Sequence, residues 1–506
     1  MRQIALIVSI LVTATFVWAE EPMRHSDEIA VVGTEALAMP ALVGSWQGFL
    51  YLEGQEIRVE VEISEDSSGG LTGSVDLRDS AVLNVPLKIE ILGQAITMNA
   101  GPSPLIEVQL NDELDAMKGR MFVATMGAWK DLVLEKDNAA FRRFALPRLT
   151  DKEEDELVYE YRPPKQAEDG WPVSTLMTQG IDKEQIEALV ESVLRGEHGR
   201  PEAVLLAKNG KLVLEEYFYG FTRDRLHPIQ SVTKSVASLI FGIALDKGFV
   251  GDLGLPVYGF FPEYKNRRWV DQEYPVTLFH LLTMSAAVEW SDVGHESLAA
   301  MYQSGDWIGY TLDLDPTGQP GETVSYNSGL SILLGDIVRR ATRKPLNVFA
   351  EETLFADLGV SKYRWGAASD GTHNTGGGLV LTAYDLAKMG QLVLGKGMWN
   401  GKRVVSESWV NKSSRMHLPL GEESIRTTGG SRYSTGYGFQ WWILNYELNG
   451  GTTKAIAGMG YGGQYLGIFP SLDTVIVLFN GEWGNPWERD FDYHEIIEKW
   501  ILPAFQ

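Results

Sequence analysis

No cysteine occurs anywhere in the 506-residue chain. That removes disulfides, thiolate nucleophiles, cysteine-ligated zinc and lipid attachment through a thiol, and it fits export without oxidative folding. Basic clusters are missing as well. Asp and Glu outnumber Lys and Arg by 67 to 44, a formal net charge of −23, whereas binding to nucleic acid needs a basic footprint. Nucleic acid is therefore not an expected partner. Beyond the first twenty residues no apolar run is long enough to cross a bilayer, so the mature chain is expected to carry no membrane span. Two hydrolytic signatures are also absent. There is no Gly-x-Ser-x-Gly, hence no nucleophile elbow of the α/β-hydrolase kind. There is no His-Glu-x-x-His and no other His–carboxylate spacing that reads as a zinc site. No metal and no cofactor are expected.

What is present begins with an export signal. Arg2 is followed by an almost wholly apolar stretch from Ile4 to Val17, then by Val17-Trp18-Ala19 ahead of Glu20-Glu21-Pro22. This pattern predicts a cleaved signal peptide over 1–19, cut after Ala19, and a periplasmic or secreted protein; an uncleaved anchor is the alternative. Residues 20–41 read as a linker. From 42 to 147 the texture is that of strands. Ile57, Val59, Val61 and Ile63 alternate with polar residues, and further short apolar runs recur between Gly, Asn and Asp turns, which predicts an all-β accessory module, a small barrel or sandwich. It holds no constellation of titratable groups, so a structural or docking role is expected. Residues 148–180, rich in Pro and charge, read as a second linker.

The domain over 181–506 has an α+β order. Asp182 can cap a helix carrying Ile186, Leu189, Val190 and Val193, and Asn209-Gly210 marks a type I′ hairpin. Strands return near the C-terminus, at 438–444, 465–469 and 474–479. The expected fold is an antiparallel sheet built from both ends of the domain, flanked by helices, with a helical region inserted between. Ser231-Val232-Thr233-Lys234 is the only Ser-x-x-Lys in the chain. It opens an apolar helix in which Val232, Val236, Leu239, Ile240 and Ile243 share a face and Gly248 is the expected stop. Serine and lysine at i and i+3 are neighbours on a helix. A hydroxyl needs a base to become a nucleophile, and a part-buried lysine is easier to deprotonate than a solvated one. Taken alone, the pattern also fits a serine cap followed by a surface lysine.

Other stretches decide between these. Tyr326-Asn327-Ser328-Gly329 is a loop leading into a helix, and a phenol there can relay a proton to a leaving group. With Ser231-Val232-Thr233-Lys234, with Leu281-Leu282-Thr283-Met284-Ser285 and Gly376-Gly377-Gly378-Leu379, and with Trp399-Asn400-Gly401-Lys402-Arg403-Val404 and Tyr461-Gly462-Gly463-Gln464, it stands in an order that resembles the β-lactamase and penicillin-binding serine hydrolases. The resemblance covers about 180–506 and points to the class C-like esterase branch. It implies a nucleophile at Ser231, proton-transfer groups at Lys234 and Tyr326, and substrate or oxyanion contacts from Ser328, Gly460 and the Tyr461 N–H. Two departures weigh on the substrate. The second motif reads Tyr-x-Ser instead of Tyr-x-Asn, a pattern similar to that of 6-aminohexanoate-dimer hydrolases and related esterases. The third motif, Gly458-Met459-Gly460, lacks the cation that would meet a β-lactam carboxylate. A small neutral ester or amide is expected as substrate. A D-alanyl peptidase or β-lactamase, or a non-catalytic binder of a cell-envelope ligand, are the alternatives. His280, on an apolar helix, and His373, before the triple glycine, are expected to be structural. The weak likeness of 42–147 to lipocalin-like modules adds no site.

Overall fold

The structure is a computed structural model. It describes residues 39–505 apart from 53–54, 68, 78, 80–81, 124–127, 137, 139, 145–146, 148–157, 265–273, 292–295, 422–430 and 482–491. The expected signal peptide, and the expected linker up to residue 38, lie outside the described residues. The chain divides into two compact units between Arg143 and Phe144.

The first unit is a closed barrel whose strands pair in chain order: β1 (Gly44–Leu52), β2 (Gln55–Glu65), β3 (Leu71–Leu77), β4 (Val82–Leu92), β5 (Ala95–Ala100), β6 (Ser103–Leu110), β7 (Ala116–Val123) and β8 (Ala128–Glu135). Alternation sends Trp46, Val59, Val61, Met98, Ile106 and Leu134 into a continuous apolar interior, so side chains fill the barrel, as in other small barrels. Closure joins β1 to β8 with Gly48 opposite Leu134. A Cβ at Gly48 would lie 1.9 Å from the Val133 carbonyl oxygen, so only glycine lets the closing strands meet. The buried charge is a bidentate pair. Arg58 and Asp79 are 2% and 3% exposed, with Nε to Oδ2 at 3.0 Å and Nη2 to Oδ1 at 2.9 Å.

The second unit is built on an eight-stranded antiparallel sheet. Its order is Lys211–Tyr217, Pro201–Lys208, Thr474–Asn480, Gln464–Phe469, Gly451–Gly460, Trp442–Leu448, Ser434–Tyr437 and Leu418–Pro419. The first two strands form the expected hairpin, with Asn209 at φ 50° and Gly210 at φ 75°, both positive as a type I′ turn requires. Leu206 pairs with Ile476, which joins the two ends of the domain. Asp182 caps the helix Lys183–Leu194 and donates its own N–H to the Ala504 carbonyl, 2.9 Å away. Helix Ala383–Leu394 packs on strands Thr474–Asn480 and Gln464–Phe469. The helix Val232–Asp246 packs against strand Gly451–Gly460 and also against helix Ser328–Thr342. That junction of helix, helix and strand is the frame of the site.

One expectation is corrected. Residues 158–180 are not a free linker. Tyr159, Tyr161, Trp171 and Leu176 are buried in the core of the second unit, the Tyr161 hydroxyl donates to Val213 O at 2.7 Å and Trp171 Nε1 to Gly210 O at 3.1 Å. Proline and charge suit a strap as well as a linker: an extended backbone lying on a sheet needs only periodic anchors. At its C-terminus the chain is α-helical for Tyr493–Ile496 and then widens to a π-turn over Ile497–Ile501.

Two predictions follow from buried charge and burial of a titratable ring. Asp79→Ala removes both carboxylate contacts from the buried Arg58 guanidinium and is expected to cost about 3–5 kcal/mol, whereas the apolar pair Arg58→Met with Asp79→Leu recovers most of it. Hydrogen exchange of peptides from β1–β4 checks this. His494 stacks on Tyr433 with ring centroids 4.5 Å apart and its Nδ1 lies 2.6 Å from the Tyr446 hydroxyl. Burial holds its pKa down at about 3, against an ordinary 6.5. The unfolded chain therefore takes up that proton first, so stability is full above pH 6.5 and is lost as pH falls towards 3. Denaturant titrations of His494→Phe are expected to give a stability–pH slope smaller by about one proton in that window.

Candidate active site

Gln230, at φ 48°, turns the chain sharply into Ser231, and the helix runs from Val232 to Asp246. Ser231 is itself in helical conformation, φ −65° and ψ −8°, and its side chain makes no capping bond. The serine-cap reading is thereby removed. Its hydroxyl instead faces Lys234 Nζ at 3.0 Å and the Gly376 carbonyl at 3.4 Å. At the C-terminal end, Gly248 N–H bonds Leu245 O and Phe249 N–H bonds Ala244 O, a Schellman stop at the expected glycine.

Lys234 is 1% exposed. Oxygens within hydrogen-bond distance of its Nζ include Ser231 Oγ at 3.0 Å, Ser328 Oγ at 3.0 Å and Gly376 O at 2.5 Å. The same nitrogen sits over the Tyr326 ring, 4.7 Å from its centroid. That ring stacks on Trp442 at 5.2 Å and meets Tyr437 edge-on at 6.1 Å. Trp442, 3% exposed, thus packs behind the tyrosine. Ser231, Lys234, Tyr326 and Ser328, separate in sequence, come together at one point.

Local chemistry holds each piece. Asn327 caps the helix Ser328–Thr342 by accepting from Leu330 N at 3.2 Å. The loop ahead of Tyr326 is tied by Ser325 N–H to Met284 O, 2.7 Å, so Leu281-Leu282-Thr283-Met284-Ser285 serves as its brace. The glycine loop is held by Asn374, whose Oδ1 accepts from Gly376 N and Gly377 N, each at 3.1 Å, while Thr375 Oγ1 donates to Ser331 O at 2.6 Å. Beside the Ser231 turn runs strand Gly451–Gly460. A Cβ on Gly458 would lie 2.9 Å from Val232 Cγ1, and one on Gly460 2.7 Å from Ile229 O. Bare backbone is what lets this strand lie against the start of the helix. After it, Gln464 Nε2 and Asn480 Nδ2 both donate to Gly462 O, at 3.1 and 2.8 Å, fixing the turn that contains Tyr461. The Ser231 N–H makes no hydrogen bond within the described residues.

Ser328, expected on the substrate side, directs its hydroxyl to Lys234. Gly460 lies where the third motif was expected, against the Ser231 turn. His280 Nδ1 accepts from Thr277 N at 3.1 Å, a helix-capping role. His373 Nδ1 meets Gly371 O at 3.1 Å and its ring stands edge-on to Trp365. Burial lowers the pKa of both histidines. Two contributors escaped sequence reasoning. The Gly376 carbonyl is a backbone atom with no side-chain signature, although the run of three glycines marks its loop. Asn374 sits two residues before it, and its signal was a side chain able to bond the backbone two and three residues on.

Residues 183–499 match the family model described as Beta-lactamase. The 6-aminohexanoate-dimer hydrolase of Paenarthrobacter ureafaciens is 27% identical over 387 residues, 72% of this chain and 89% of that protein. A Bacillus anthracis structure provisionally named a 6-aminohexanoate-dimer hydrolase shares the fold at 24% identity with a TM-score of 0.50, covering 60% of this chain and 79% of the other. A family VIII carboxylesterase superposes at 17% identity with a TM-score of 0.47, over 60% of this chain and 93% of its own. The chain belongs to the beta-lactamase family of serine hydrolases.

Proposed function

We propose that the protein is an exported hydrolase that cleaves a small neutral ester or amide through an acyl-enzyme on Ser231, with Lys234 and Tyr326 moving the protons. The observation that carries this reading is the set of oxygens around Lys234 Nζ. A neutral amine has two protons and one lone pair. The Gly376 carbonyl can only accept, so it takes one proton, and Ser328 Oγ accepts the other. The remaining direction, the lone pair, then faces Ser231 Oγ. Ser231 Oγ attacks the substrate carbonyl carbon as its proton passes to Lys234. The Tyr326 ring face beside Nζ favours the ammonium that results. The proton continues through the Tyr326 hydroxyl to the leaving alcohol or amine as its bond to carbon breaks, and water then releases the acyl group by the reverse route. The Ser231 and Tyr461 N–H groups are the oxyanion donors in this scheme.

Substrate class rests on the third motif. Gly458-Met459-Gly460 offers no cation, which disfavours a substrate that needs its carboxylate neutralised at that position. The relative named for a 6-aminohexanoate dimer keeps amides among the candidates beside esters. Export rests on Arg2, the apolar stretch from Ile4 to Val17, and Ala19 ahead of Glu20.

A fluorophosphonate probe is expected to label Ser231 and to leave Ser231→Ala unlabelled. On a panel of nitrophenyl esters, nitrocefin and D-alanyl peptides, turnover is expected for the short esters and little for the other two. Lys234→Ala is expected to lower kcat/KM by about 10²–10⁴. Ester turnover that survives Ser231→Ala, or ligand binding without any turnover in the folded wild type, would contradict the reading.

A further inference from the structure

Gln440 lies in the bend between strands Ser434–Tyr437 and Trp442–Leu448, 2% exposed and at φ 65°. A non-glycine residue in that left-handed region costs about 1–2 kcal/mol, and glycine would occupy it more cheaply. The side chain supplies what glycine lacks. Its Oε1 accepts from Ser331 Oγ at 2.6 Å, and its Nε2 donates to Leu281 O at 2.9 Å and Leu282 O at 3.3 Å. Its backbone is engaged too, N–H to Leu282 O at 2.9 Å and carbonyl from Ser235 Oγ at 2.8 Å. Ser235 follows Lys234 on one helix, and Ser331 is three residues after Ser328 on the other, hence beside it. Leu281 and Leu282 begin the segment that braces the loop before Tyr326. The two residues flanking this bend, Tyr437 and Trp442, pack against the Tyr326 ring.

One buried residue therefore touches both helices that converge on Lys234 and the brace behind Tyr326: its side-chain amide holds the Ser328 helix and the brace, and its backbone carbonyl holds the Ser231 helix. Its chemistry is specific: the site needs an acceptor for a hydroxyl and donors for two carbonyls, which glutamate, methionine and glycine each fail to provide. We infer that Gln440 is a positioning residue for acyl transfer, holding the Ser231 and Ser328 helices at the separation at which Lys234 meets both hydroxyls. This rests on the reading of Ser231 as nucleophile, and a displacement of about 1 Å in such a set is enough to cost some 10²-fold in rate.

The test compares wild type, Gln440→Gly, Gln440→Glu and Ser331→Ala for fluorophosphonate labelling rate, for kcat and KM on a nitrophenyl ester across pH, and for thermal stability. Gln440→Gly relieves the backbone and removes the side-chain ties to Ser331, Leu281 and Leu282, while keeping the carbonyl that accepts from Ser235. In the folded variant, labelling and kcat are expected to fall about 10–100-fold with KM within about twofold, and the acid limb of the labelling–pH profile is expected to move. Gln440→Glu and Ser331→Ala change rate in the same direction, and Ser331→Ala combined with Gln440→Gly is no slower than Gln440→Gly alone. Labelling at the wild-type rate and with the wild-type pH profile in folded Gln440→Gly overturns the inference. Should that variant not fold, an unchanged rate and profile in Ser331→Ala does the same. Absence of labelling in the wild type removes the nucleophile reading itself, and the positioning role with it.

Discussion

A buried lysine nitrogen held by three oxygens is the constraint on which the rest of the second unit depends. Lys234 has almost no contact with solvent, and Ser231 Oγ, Ser328 Oγ and Gly376 O lie at hydrogen-bond distance from its Nζ. A buried amine is tolerated only where its polar directions are met. Those partners come from three separate stretches of chain, and each must arrive at hydrogen-bond distance. The loop rigidity given by Asn374, the brace of Leu281–Ser285 and the tie through Gln440 are all answerable to that requirement.

The sheet supplies the second condition. Pairing of Leu206 with Ile476 brings the two ends of the domain into one antiparallel layer, and strand Gly451–Gly460 is laid along the helix that starts beside Ser231. Side chains at 458 and 460 would force the two apart. A strand backbone is therefore available next to the serine, while the same bareness leaves the third motif without a charged group. Under the proposed reading, the arrangement that serves acyl transfer also narrows the substrates it suits.

Some of this was legible in the sequence because it is local. Ser231 and Lys234 are three apart on an apolar helix, Asn327 precedes a helical run, and Asn209-Gly210 bends a hairpin; each is readable from a few neighbours. Order of motifs along 180–506 then identified the fold. What escaped has no local mark. The Gly376 carbonyl reaches Lys234 across 142 residues as a backbone atom. Gln440 sits in a run of glycine and aromatic residues whose spacing carries no period. Residues 158–180 have the proline and charge of a linker, and only the burial of Tyr159, Tyr161 and Trp171 reveals a strap. Barrel versus sandwich turned on whether the first and last strands pair, and Gly48 against Val133 O is a condition visible only once they do.

The central claim is that Ser231 becomes covalently acylated during turnover. Mass spectrometry of protein quenched in acid within the first turnovers of a nitrophenyl ester tests it most directly. The account predicts a mass increase equal to the acyl group, mapped to the peptide containing Ser231 and lost on further incubation. Ester hydrolysis at full rate with no acyl mass on that peptide, or with the acyl group on another residue, would contradict it.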